Sequence, residues 1–470
     1  MHELVNVPAM LGVVAGYLVL LVLVGAFFYK RSLVSEESRA DFLLAGRSLG
    51  KLVTVGTIFA TYVGGGTVTG GGNSLAYKFG FWPGVCFAIA PIFSLTILCF
   101  LAEKIRESRC YTTAELLEKS YGSGARRIAA VIIAIALVSI VSYQYRGLGF
   151  ILNATTGISV ETSTVICAVL VIALAFSGGL KTVATTDAMS AFLMVFGMLF
   201  SLPILVKTVG GLEWVKSTAT PVQMSFLGGQ SFVQWIGAYL PLMFLTIGDQ
   251  NYFQRICAAK DLKTARIGLL GCMLASVIVM PVVACFAFIG RLYFGSNIVA
   301  GQALISTATL LPIFWGGVLL AAASAFTITT GDSYLLSASS NFTVDLYAQS
   351  INPQATEKQQ VLVTRWFILI AGVVAYVILQ FFPSILAIQF MSYTIYGAAI
   401  TPAVLCALLW KGVTKAGGIA SMLIGSIFTI VWELQKCPFG IQTIIVALPL
   451  SFAVIFVVSF LTQPGRAKSR

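Results

Sequence analysis

The sequence predicts an all-α polytopic membrane protein of about 13 transmembrane helices, built as a five-plus-five inverted repeat with broken second and seventh helices. Three observations predict it. The chain is too apolar for a soluble domain, its charges sit between apolar runs of membrane-spanning length, and two polar interruptions fall five spans apart.

Of the 470 residues, 58% are hydrophobic and only 10% charged, against about 25% charged in soluble domains; the mean hydropathy is +0.94. Apolar runs bounded by charge cover 8–29, 51–77, 81–103, 126–154, 160–177, 186–209, 232–256, 265–290, 313–345, 360–382, 384–410, 414–434 and 439–462. Most reach the ~20 residues that cross about 30 Å of hydrocarbon. They divide one transmembrane domain, 1–470, into a leading helix (8–29), a first repeat (51–209), a second repeat (232–410) and two trailing helices (414–462).

Charge orients the array. With the N-terminus outside and the C-terminus cytoplasmic, five Lys/Arg fall in outer loops (Lys78, Lys207, Lys216, Arg291, Lys436), 23 in inner loops and Arg146 within a span. That asymmetry satisfies the positive-inside rule. The formal charge of +12 is therefore a topology signal, with no nucleic-acid partner implied. Short loops point to a plasma membrane, as in the bacterial inner membrane. The nine cysteines form no CxxC pair and the single histidine is His2, which leaves no His-based metal site, proton relay or Ser-His or Cys-His nucleophile. The chain reads as no enzyme.

In the second span, six of the nine residues from Gly64 to Gly72 are glycine, each costing about 1 kcal/mol relative to Ala inside a helix. Gly66 and Gly70 form a GxxxG pair, so tight packing is one explanation. The seventh span offers another. Its Gly248-Asp249-Gln250-Asn251 is a second polar interruption at the corresponding place, as inverted-repeat carriers place their discontinuous helices. A break frees carbonyls near Ala60 and Val63. The ninth span brings hydroxyls at Thr327, Thr329, Thr330, Ser333, Ser337, Ser339, Ser340 and Thr343, suited with those carbonyls to a hard monovalent cation. Elsewhere, TTAELLEK (112–119) predicts a short capped helix, and 291–312 an outer surface helix or lid.

Four stretches in order resemble the sodium:solute symporter family: DFLLAGRSLGKLVTVGTIFATYVGGG (41–66), SGGLKTVATTD (177–187), GDQNYFQRICAAKDLKTAR (248–266) and TTGDSYLLSASSNFTVDLY (329–347). Among its branches, ATYVGGG, NYFQR and DSYLLSASSNF are most similar to the choline-transporter-like one. The resemblance implies a LeuT-like fold and Na⁺-coupled symport of a small polar organic solute into the cell by alternating access. The solute could be an amino acid, carboxylate, sugar, vitamin or quaternary amine. It also implies a Na⁺ site of the Ala60 and Val63 carbonyls, a carbonyl near Phe326 and the Thr329 and Thr330 hydroxyls. Two positions depart from the family: Ser190 replaces a frequent Gln, and Tyr62 stands where some members carry an acid.

The solute is expected beside Tyr62, Thr67, Thr69, Tyr145, Asp249 and Gln250, with Asp332 in a coupling network. Tyr143 and Gln144 are weaker candidates. Arg146 lies about 19 residues beyond Arg127, roughly 29 Å along a helix. Snorkelling or structural pairing accounts for it there, and a role near an anionic solute is the alternative. Two other functions stay open: a proton-coupled carrier using Asp249 or Asp332, and an ion or solute channel.

Overall fold

A computed structural model describes residues 8–34, 38–382 and 384–463. His2 and the Arg466–Arg470 cluster lie outside the described residues. Among the described residues, eleven helices are long and apolar enough to cross a membrane, and two further spans are bent pairs, each kinked by 42°. The count of thirteen therefore holds, with the second and seventh spans broken. The second is Lys51–Tyr62 followed by Gly66–Phe79; the seventh is Phe232–Gly248 followed by Gln250–Ala258.

Helix starts follow capping chemistry. The side chains of Thr112, Ser159, Ser231, Asp261, Thr356, Ser384 and Thr414 each accept the backbone N–H three residues on, satisfying a donor the first turn leaves open. The sixth span, expected from 186, begins at Leu180 after the extended Gly178-Gly179 pair. The TVATTD segment (182–187) is therefore wholly helical, and Asp187 is carried into the protein interior. The ninth span continues past 345 as a π-helix, Phe342–Ile351. The connection 291–312 is not a surface helix: short turns between Ala300 and Leu310 bury Ala303 to Ala308 against the C-terminal half of the second span.

Burial separates scaffold from periphery. The spans Ser123–Thr156, Ile313–Ile351 and Ile385–Leu409 are each 78% buried in their most apolar stretch, whereas the leading helix is 22% and Glu357–Leu379 28% buried. The buried trio packs against the break in the second span, whose first half is otherwise flanked by Leu180–Thr208 and Leu262–Phe294.

The two broken spans are fastened to each other at their basic ends. Leu49 N–H donates to Ala258 C=O and Lys260 N–H to Leu49 C=O, both at 3.1 Å. Arg106 donates to the Ile256 and Ala259 carbonyls at 2.7 and 2.6 Å, a cation placed where a helix C-terminus favours one. Nearby, Arg126 pairs with Asp345 at 2.7 Å and Glu118 at 2.6 Å. It also donates to Val344 C=O, while Thr112 donates to Asp345. The short helix Thr113–Tyr121 is thereby held to the end of the ninth span.

Removing one partner of a buried ion pair costs about 3–5 kcal/mol because the other charge is stranded. Arg126→Met is expected to lower the stability of the purified protein by that order. Arg126→Met/Asp345→Asn should recover a substantial part. A single variant that melts with the wild type would show that this network does not hold the two elements together.

Candidate functional site

The first half of the second span ends where the N–H of Val63 bonds to Phe59 C=O; Val63 itself leaves helical geometry at φ −95°, ψ 89°. Ala60 C=O, the next carbonyl along, accepts hydroxyls from the ninth span instead: Thr329 at 3.3 Å and Thr330 at 3.2 Å. The same hydroxyls reach Phe326 C=O at 3.5 and 3.0 Å, and Thr329 also bonds Ala325 C=O at 2.7 Å. Ala60, Phe326, Thr329 and Thr330 thus converge as four neutral oxygens at the break, all but sealed from solvent. Val63 ends the half-helix beside them, and no contact of its carbonyl is seen among the described residues.

The glycines answer chiefly to close approach: none from Gly64 to Gly72 has positive φ, though Gly70, at φ −106° and ψ −119°, lies far from the helical and extended regions. A Cβ on Gly64 would overlap the Thr330 side chain, and one on Gly65 the Gln144 amide oxygen. One on Gly66 would meet the Tyr393 hydroxyl at 2.6 Å, and those on Gly70 and Gly71 would strike Gln389 and Phe87. Packing and break are therefore one device: glycine lets side chains from four other spans reach an opened backbone. Gln144 Oε1 accepts Gly65 N–H at 3.0 Å and Gln389 Oε1 accepts Gly71 N–H at 2.8 Å. In lipid the Gly65 donor would otherwise be orphaned, whereas Gly71 N–H also bonds Gly66 C=O.

The seventh span is repaired from within and from one tyrosine. Asp249 caps the second half-helix, accepting Asn251 N–H at 2.9 Å, and also accepts the Tyr334 hydroxyl at 2.7 Å. The Tyr396 hydroxyl donates to Gly248 C=O at 3.1 Å and accepts Gln250 N–H at 3.0 Å, bridging the gap.

Of the residues expected around the solute, Tyr62, Thr67, Thr69 and Asp249 are buried on the two broken spans. The Tyr62 ring lies 5.9 Å from that of Tyr252, and its hydroxyl 3.3 Å from Ser94. Thr69 bonds back to Gly65 C=O at 2.7 Å and borders a cavity of about 650 Å³ toward the lysine-poor end. Two expected residues are engaged elsewhere. The Tyr145 hydroxyl points to Gly372 C=O at 3.4 Å, on the peripheral Glu357–Leu379 helix. The Gln250 side chain accepts Thr113 N–H at 2.7 Å on the basic side. A helix turns about 100° per residue, which is why Tyr143 and Gln144 face the break and Tyr145 does not.

Asp332 is buried with one carboxylate oxygen unpartnered, as is Asp187. Arg255, wholly buried, joins Asp187 at 3.3 Å, Ser333 at 2.7 Å and Thr57 at 2.9 Å. This guanidinium ties both broken spans to the sixth and ninth. Arg255, Asp187, Gln389, Tyr393 and Tyr396 were not anticipated. Gln389, Tyr393 and Tyr396 stand three and four residues apart in an apolar run, the spacing of one helix face, and that polar stripe was the available signal.

The fold and the oxygen cluster at the break define a sodium-coupled secondary transporter, not an enzyme. The chain belongs to the sodium:solute symporter family, whose description it matches over residues 42–425. It is 25% identical over 446 residues to the high affinity choline transporter 1 of Homo sapiens, covering 89% of this chain and 76% of that one. It is 27% identical over 441 residues to the sodium/proline symporter of Haemophilus influenzae, covering 88% and 86%. In structure it resembles a Na⁺-coupled sialic acid symporter in a substrate-bound outward-open state, with TM-score 0.82, 18% identity and 97% of this chain covered. A nucleobase-cation-symport-1 family transporter in a closed conformation aligns at TM-score 0.59 and 13% identity. The fold is LeuT-like, and Na⁺ is the co-transported ion.

Gly64→Ala is expected to push Thr330 out of the oxygen cluster. Overpacking of about 1–3 kcal/mol would raise the Na⁺ concentration for half-maximal stabilisation about tenfold or more. A Na⁺ titration of the variant's melting temperature checks this, and an unchanged midpoint would show that Thr330 lies outside the ion site.

Proposed function

We propose that the chain carries a small polar organic solute into the cell together with Na⁺, by alternating access. Na⁺ binds at the Ala60, Val63 and Phe326 carbonyls and the Thr329 and Thr330 hydroxyls. The solute binds beside Tyr62, Thr67, Thr69 and Asp249; Tyr145 and Gln250, engaged elsewhere, take no part. The carrying observation is the convergence of Ala60 C=O, Phe326 C=O and both hydroxyls at one helix break. Unwound carbonyls with hydroxyls are a common ligand set for Na⁺ at such breaks. The ion replaces the hydroxyl–carbonyl bonds that now close the site, and so orders the segment on which the solute rests. The lysine-poor end then faces outward, as the positive-inside rule requires.

Thermal stability of the purified protein against a solute panel, in Na⁺ and in K⁺, tests the reading. A solute at 100 times its Kd adds about 2.7 kcal/mol. Stabilisation is expected in Na⁺ alone, and Thr329→Ala/Thr330→Ala should remove it. Equal shifts in both salts would refute linked Na⁺ binding. The competing reading is a proton-driven cycle, favoured by the unpartnered oxygen of Asp332. It predicts uptake driven by a pH gradient without Na⁺ and lost in Asp332→Asn.

A further inference from the structure

We propose that Arg146 and Lys78 form an anion subsite on the outer approach to the broken second span, and that the transported solute carries a carboxylate which this subsite receives. The inference rests on the symport reading for the identity of the ligand as a solute, and on separate observations for its charge.

Arg146 does not reach out to a lipid surface. It lines the cavity of about 650 Å³ that also touches Thr69, Ser74 and Lys78. Its Nε is buried without a hydrogen-bond partner. None of the ion pairs among the described residues includes Arg146 or Lys78. Lys78 also borders an adjoining cavity of about 320 Å³, so it faces the same approach from the other side.

The acid in this cavity is Glu161. It stands exposed in the first turn of the Val160–Ser177 helix, whose N-terminus favours an acid there. Two cations and one rim acid leave the cavity positive. A half-buried guanidinium without a carboxylate is matched by a ligand that brings one, because its fork of donors fits the two oxygens.

The level is that of the break. A Cβ on Gly147, the next residue, would lie 3.0 Å from the Thr69 hydroxyl. Farther in, Asp249 makes no ion pair among the described residues and accepts the Tyr334 hydroxyl at 2.7 Å, with Asn251 standing between it and Arg255. Positive charge outside and negative charge inside suit a zwitterion. They do not suit a purely cationic solute, which the approach would repel.

The test uses full-length protein in Na⁺ and matched probes that differ in the carboxylate. These are glycine betaine against choline and proline against prolinamide, with alanine and sialic acid as further acids. At least one acid should stabilise the wild type at a concentration tenfold or more below its matched partner or below choline. Arg146→Met should weaken that acid at least tenfold, Arg146→Lys and Lys78→Met less, and Glu161→Gln should not weaken it. A second series replaces chloride by gluconate. If chloride alone produces the Arg146-dependent shift, the subsite serves an inorganic anion and the solute assignment falls. Choline binding as well as betaine, no acid binding, or an acid indifferent to Arg146→Met would each overturn the proposal. An acid that needs Arg146 but binds equally in Na⁺ and K⁺ would uphold the subsite and refute the sodium reading instead.

Discussion

The constraint on which the structure depends is that a backbone opened inside hydrocarbon must find every hydrogen bond within the protein. Two helices are broken here, and most of the unusual chemistry of the interior serves those breaks. Gln144 and Gln389 take the donors of the second span, Thr329 and Thr330 give hydrogens to Ala60 C=O, and Tyr396 closes the seventh. The glycines follow from the same need. Amide and hydroxyl groups can reach the backbone only where no Cβ stands between.

Charge in the interior obeys a second rule: it is retained where it links elements. Arg255 contacts Thr57, Asp187, Asn251 and Ser333, which lie on four different spans. A hydrophobic substitute of equal volume would pack, yet it could not hold four helices in one register by directional bonds. Arg126 does the same at the basic end. These two hubs lie on the basic side of the breaks. On the other side the C-terminal half of the second span is pinned more lightly, through Asn73 to Ala300 C=O and Leu304 N–H and through Tyr77 to Gly295 and Ile298 carbonyls.

Much of this was legible in the sequence, because hydropathy and charge report directly on what lipid allows. All thirteen spans, both breaks and the hydroxyl face of the ninth span could be read that way. The freed Ala60 carbonyl and the hydroxyl-rich ninth span were legible from the residues, while Phe326 and the choice of Thr329 and Thr330 among eight hydroxyls came from the family resemblance. What stayed hidden depends on rotation about a helix. Tyr143, Gln144 and Tyr145 are adjacent, and only packing decides that the first two face the glycines and the third the periphery. Gln250 reads as a site residue by its neighbours, but its side chain follows the second half-helix toward Thr113. Asp187 stayed hidden because the sixth span was expected only from 186, whereas its helix begins at Leu180 and carries Asp187 about two turns inward.

The two breaks, alike in angle, differ in how they are closed, and that difference assigns them different parts. Asp249 and Tyr396 close the seventh span largely by themselves, with groups that have no other backbone to serve. The second span depends on four side chains from three other helices, and two of these, Thr329 and Thr330, also bond carbonyls of their own helix. Those hydroxyls can exchange a carbonyl for a cation without leaving any group unsatisfied, since a hydroxyl offers lone pairs as well as a proton. Under the proposed function, the second break is thus the one whose order responds to Na⁺, while the seventh presents a fixed wall. An ion that draws Ala60 C=O and both hydroxyls together acts on the same short segment that bears Tyr62, Thr67 and Thr69. Coupling between ion and solute then requires no distant relay, only that both bind the two ends of one interrupted helix.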